Sequence, residues 1–125
     1  MATHILRTET GARIAMIGCA LRNKGSGWHV IADSGHEPSG VTTVVEHPTY
    51  LEIKHPVGAV KVLRMQVTVD EHYASTGLRC GPSAGLALSR IELYCGASTT
   101  PVDPATLVAP YGNLWVSGEL LLPPA

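Results

Sequence analysis

Glycine and proline punctuate this chain so densely that it must fold from short pieces. Thirteen glycines and nine prolines are spread over 125 residues. Glycine releases the backbone into turns, and proline removes a donor that helices and central strands need. Between these breaks lie short apolar runs. The clearest is 59–70, where Leu63, Met65, Val67 and Val69 alternate with Arg64, Gln66 and Thr68. A period of two predicts a strand with one buried and one wet face.

The other runs read alike. Residues 13–22 form a strand-length apolar run, and 28–32 a second, joined by Asn23-Lys24-Gly25-Ser26-Gly27 with strong turn chemistry. After a polar loop over 33–40, Val41, Thr43 and Val45 share a face. In 50–54, Leu51 and Ile53 oppose Glu52 and Lys54. Strands are also predicted over 86–95 and over 113–122, where Leu114, Val116, Leu120 and Leu122 are in phase. Ser83–Ser89 tolerates a helix but is short. Residues 1–12 show little periodicity and read as an extended N-terminal arm. The expectation is an all-β protein: one antiparallel β-sandwich of about seven strands over 13–125, with the short arm in front. Edge strands of such a sheet need cover, which an oligomer would supply.

Composition narrows the function. Charged residues make up only 15% of the chain, against a typical ~25%. Low charge fits a surface covered by a neighbour, and equally a Thr-, Ser- and Gly-rich β-protein. The net charge is -1 and no basic stripe is present, which argues against nucleic-acid binding. The apolar run 14–21 is too short to span a bilayer and lacks a signal peptide's basic start, so no membrane insertion is expected. Cys19, Cys80 and Cys95 are odd in number and lack zinc-ligand spacing. They read as small buried residues of a protein made in a reducing cytoplasm.

Gly81-Pro82-Ser83-Ala84-Gly85 fits the G-x-S-x-G nucleophile elbow and is similar to the segment around the serine of Lon-type proteases. A serine nucleophile needs a base. No lysine follows Lys61 and no histidine follows His72, so the segment reads as a loop opening a strand. A small hydrolase using Ser83 or a cysteine is the third-ranked reading. None of His4, His29, His36, His47, His55 and His72 forms a close pair. The best local cluster is His29 and His36 around Asp33 and Glu37, short of a ligand set with a second shell. Asp70-Glu71-His72 ends the best strand. Adjacent strand residues point to opposite faces, so Asp70 reads as a turn cap. No cofactor, metal or catalytic residue is expected.

The aromatic residues are the remaining candidates. Trp28, Tyr50, Tyr73, Tyr94, Tyr111 and Trp115 could stack on sugar rings or fill an interface, where Trp and Tyr are enriched. Trp115 shares a strand face with Ser117 and Glu119. Trp28, Tyr111 and Trp115 are the candidate interface residues.

Several segments resemble small virion proteins of tailed bacteriophages, especially those of actinobacteria. They are Arg22-Asn23 with Gly27-Trp28-His29-Val30-Ile31, then His36-Glu37-Pro38-Ser39-Gly40-Val41 and Asp70-Glu71. Cys80-Gly81-Pro82-Ser83-Ala84-Gly85-Leu86 and Tyr111-Gly112-Asn113-Leu114-Trp115-Val116-Ser117-Gly118 complete the set. The closing Gly-Asn-Leu-Trp-Val looks like the last strand of minor tail or fibre-tip domains. The resemblance implies a non-enzymatic structural β-domain of the virion, often a homotrimer or other homo-oligomer, contacting other phage structural proteins and in some cases a host surface receptor. The chain has no coiled-coil stalk or collagen-like repeat, which also suits a capsid decoration or head-spike protein. A receptor- or glycan-binding module is the alternative of a different class.

Overall fold

A computed structural model describes residues 3–32, 37–109 and 112–124. The fold is all-β, with β1 His4–Arg7, β2 Arg13–Asn23, β3 Trp28–Ile31, β4 Thr43–His47, β5 Tyr50–Lys54, β6 Lys61–Val69, β7 Leu78–Ala84, β8 Leu88–Cys95 and β9 Leu114–Leu121. Short 3-10 turns cover Glu71–Thr76 and Pro104–Thr106. Sheet one runs β1-β2-β9-β6, with β3 continuing β1's side of β2. Sheet two runs β4-β5-β8-β7. Every pairing is antiparallel. The sheets face each other as a sandwich, with β3 lying against β4 and β6 against β7.

The core follows from period-two alternation. Ile17 and Leu21 of β2 and Leu114, Val116 and Leu120 of β9 point inward from sheet one. Leu51, Ile53, Ile91 and Leu93 meet them from sheet two and are almost fully buried. Burying one such side chain contributes about 1.5–3 kcal/mol, which is why these phases are fixed. Gly118 interrupts β9's inner row because β6 passes too close for a side chain. A Cβ there would lie 2.8 Å from the Arg64 carbonyl oxygen and 3.0 Å from Met65 Sδ.

The architecture matches the expected sandwich, with nine strands in place of about seven. The additions are β1 and β7. Residues 4–7 of the expected arm form an edge strand on β2. The Gly-Pro-Ser-Ala segment, expected as a loop, lies in β7 and pairs with β8, Pro82 opposite Ile91. An edge strand tolerates proline because the missing donor can face outward.

Two phases also differ. A β-bulge between Val62 and Arg64 leaves Leu63 44% exposed, so Val62, Met65, Val67 and Val69 face the core. The extra residue of a bulge flips the alternation on one side of it. In β4, Val44 packs against the core and Glu46 pairs with Leu51, while Thr43 and Val45 face outward. Glu46 points inward because its Oε1 accepts the Trp28 backbone N–H at 2.7 Å. That bond ties the edge of sheet two to β3.

Candidate interaction surfaces

Trp28 belongs to the core, against the expectation of an interface residue. It is 5% exposed, and its indole Nε1 donates to the Pro104 carbonyl at 2.8 Å. A ring held from both its backbone and its indole nitrogen closes the sandwich and is not offered to a partner. Trp115 is 39% exposed on the outer face of β9. Tyr111 lies outside the described residues, as do Asp33 and His36 of the loop cluster.

Register sets out the outer face of sheet one row by row. Ile31, Ala20, Trp115 and Thr68 stand side by side across β3, β2, β9 and β6. His4, Met16, Glu119 and Arg64 form another row, and Leu6, Ile14, Leu121 and Lys61 a third, apolar up to its last member. The middle of the face is well paired: Arg64 Nε donates to Glu119 Oε1 at 2.9 Å and its Nη1 to Ser117 Oγ at 3.1 Å. The apolar row leads to a groove of about 300 Å3 lined by Thr10, Arg13, Val60, Leu121, Leu122 and Pro124. Leu6 is 50% exposed and Val60 56%.

β1 is the least covered strand of this sheet. All four of its residues are exposed, including Ile5, whose register partner Ala15 points to the core. A hydroxyl relay pins its start. His4 N–H donates to Ser39 Oγ at 3.0 Å, and that hydroxyl donates to the Met16 carbonyl at 2.6 Å.

The outer face of sheet two is built differently. His47 and Tyr50 stack with ring centroids 4.3 Å apart, and the Arg90 guanidinium lies 4.6 Å from the Tyr50 ring. Arg79 covers Tyr94 at 5.3 Å, and the Tyr94 hydroxyl donates to Glu92 Oε2 at 3.0 Å. That bond to a carboxylate raises the Tyr94 phenol above its usual range. Aromatic rings and charges on this face are engaged with one another.

Of the catalytic candidates, Asp70 and His72 meet, with His72 Nδ1 3.4 Å from Asp70 Oδ1 in the turn after β6. Ser83 is exposed on β7, opposite Arg90. Two histidines meet serines: His29 Nε2 lies 3.4 Å from Ser26 Oγ at the surface, and His55 Nε2 lies 2.7 Å from Ser89 Oγ in the interior. Sequence spacing gave no sign of the interior pair, because the two residues come from β8 and the end of β5. The residues are 0% and 1% exposed, which denies a substrate access. Ser89 Oγ also accepts the Gly85 N–H at 3.3 Å, and the His55 backbone N–H donates to the Ala87 carbonyl at 2.8 Å. His55 thus fastens the β7–β8 turn to β5. Its Nδ1 is buried without a hydrogen-bond partner among the described residues. Burial lowers its pKa from the ordinary 6.5, because a charged imidazolium is poorly solvated there.

Asp70 caps the turn after β6, as its position predicts. Its Oδ1 accepts the His72 N–H at 3.0 Å and its Oδ2 the Asn113 N–H at 2.7 Å. The cysteines are free thiols. Burial pushes Cys19 and Cys80 up to about 12, so neither is a ready thiolate. Among the described residues no group of three His, Cys, Asp or Glu side chains is placed to hold a metal. None of their helices is long and apolar enough to cross a membrane.

No family model, curated protein or solved structure matches the chain.

Proposed function

We propose that this chain is a non-enzymatic structural subunit of a tailed-phage virion, at a tail or fibre-tip position, that assembles through sheet one. The observation that carries the assembly part is the exposed β1 edge, which carries Ile5 and Leu6 between His4 and Arg7, with the Leu6–Ile14–Leu121 row and the groove beside it. Exposed edges invite strand pairing and apolar patches invite partners. The virion part rests on the sequence resemblance, and the low charge fits a surface covered by neighbours. The partners are further copies of the chain and other particle proteins, with a host surface receptor as a further partner. A capsid decoration or head-spike position suits the same surfaces. Removing residues 2–12 tests the reading: the truncated sandwich is expected to stay folded and to be missing from purified particles. Normal incorporation of the truncation would remove the role of this edge.

A receptor- or glycan-binding module is favoured by one observation, the stacked His47 and Tyr50 rings with the Arg90 guanidinium over Tyr50 on sheet two. A glycan array probed with wild type and Tyr50→Ala decides it. Binding that the substitution abolishes would support the module.

A further inference from the structure

We infer that β1 is a twofold docking edge for a second copy of this chain, joining two copies of sheet one into one continuous antiparallel sheet. This names the partner for the subunit reading above and takes its setting from it, while the twofold follows from the backbone alone.

The direction of the backbone groups decides the register. Thr8 N–H donates to the Ala12 carbonyl at 2.9 Å, which continues the β1–β2 ladder past Arg7. On β2, Gly18 exchanges backbone bonds with Ser39 on the β1 side, and Arg13 accepts from Leu122 on the β9 side. Bonding alternates along an antiparallel strand. Even-numbered residues of β1 therefore turn their backbone groups toward β2, with His4 N–H reaching it through Ser39 Oγ, and Thr3, Ile5 and Arg7 direct their N–H and C=O groups away from it. Among the described residues β2 is the only strand paired with β1.

A twofold axis normal to the sheet keeps each face on its own side, so opposed residues must share a face. Centred on Ile5, it makes Ile5 and Ile5 of the second copy exchange both backbone bonds. Arg7 pairs with Thr3 of the second copy, and Thr3 with its Arg7, so every outward group is used. On one face the two Ile5 side chains, each 42% exposed in the single chain, bury each other. On the other, His4 lies opposite Leu6. No arginine faces an arginine. A second copy fits this edge without help from any other segment, because the pattern Thr3-His4-Ile5-Leu6-Arg7 complements itself about its own centre.

Sedimentation equilibrium of the full chain tests the proposal. Wild type is expected at twice 13.2 kDa. Ile5→Pro removes an outward donor and no bond to β2, and is expected to return the mass to that of one chain. Ile5→Lys sets two like charges against each other at the axis and is expected to do the same. Val45→Lys, on sheet two, is expected to leave the dimer intact. Circular dichroism matching wild type shows that each variant is folded. A monomeric or trimeric wild type, or a dimer that survives both Ile5 substitutions, would overturn the inference. Particle incorporation separates the two readings. A dimer absent from particles sinks the virion role alone, and incorporation of a monomeric wild type sinks the twofold alone.

Discussion

The two outer faces come from the same kind of strand and end in opposite states. On sheet two, neighbours answer one another: His47 on Tyr50, Arg90 over Tyr50, Arg79 over Tyr94, and Tyr94 on Glu92. On sheet one the polar ladder around Arg64 gives way to Leu6, Ile14 and Leu121 and to a strand exposed along its whole length. The inner faces do not differ in this way; both bury mainly apolar side chains. Folding therefore constrains the insides of the sheets alike and leaves the outsides to other demands. On sheet two the rings and charges meet within the single chain, with Val45 and Leu88 left exposed at its margins. Sheet one carries a whole strand of exposed residues beside its apolar row.

The largest expected effect tests whether the faces can be treated separately at all. Trp28 sits where the sheets meet, with its N–H on Glu46 and its indole on Pro104. Trp28→Ala is expected to cost about 3–5 kcal/mol, the range for a buried aromatic truncated to alanine. Urea unfolding measures it. A loss below about 1 kcal/mol would mean that Trp28 is not a clasp, and its place among the interface candidates would return.

Next in size is the acid sensitivity expected of His55 in sheet two. His55 has its pKa lowered by burial, so the folded chain resists protonation while the unfolded chain takes a proton at the ordinary 6.5. The unfolded state then binds more protons below that pH. Stability is expected to be complete above about pH 6.5 and to fall below it, at up to about 1.4 kcal/mol per pH unit for one proton. Urea midpoints across pH 5–8 measure the slope, and His55→Gln is expected to flatten it. Amide exchange should report the first opening in the β7–β8 turn, which His55 holds through Ala87 and Ser89. An opening that begins at β1 would place the sensitive element on sheet one.

Much of this was legible in the chain, and the exceptions have physical causes. Strict alternation marked β5, β8 and β9, since burial on one face leaves its period in the residues. The bulge at Leu63 was invisible because an inserted residue looks like any other until its partner strand is placed. β7 was hidden by Gly81 and Pro82, which signal a turn unless the strand lies at an edge. β1 reads as an arm because it buries too little to show a pattern. Trp28 and Trp115 carry the same side chain and could not be told apart without tertiary context. The His55–Ser89 pair joins separate strands, so no spacing announced it.

The smallest effect on stability is the sharpest test of the contrast between the faces. Arg90→Ala removes a guanidinium over Tyr50 and the cross-strand neighbour of Glu52. An exposed cation–π contact contributes about 0.5–1 kcal/mol, so a loss of that size is expected, with assembly untouched. Leu63→Asp changes a bulged, exposed position on sheet one. Its stability is expected to stay within about 0.5 kcal/mol of wild type, while a charge beside the apolar row should weaken incorporation into particles. Thermal unfolding and a particle pull-down on both variants give the comparison. If Arg90→Ala blocked incorporation and Leu63→Asp did not, the faces would exchange roles: the engaged rings of sheet two would be the recognition surface, and the apolar row of sheet one an ordinary scatter of exposed side chains.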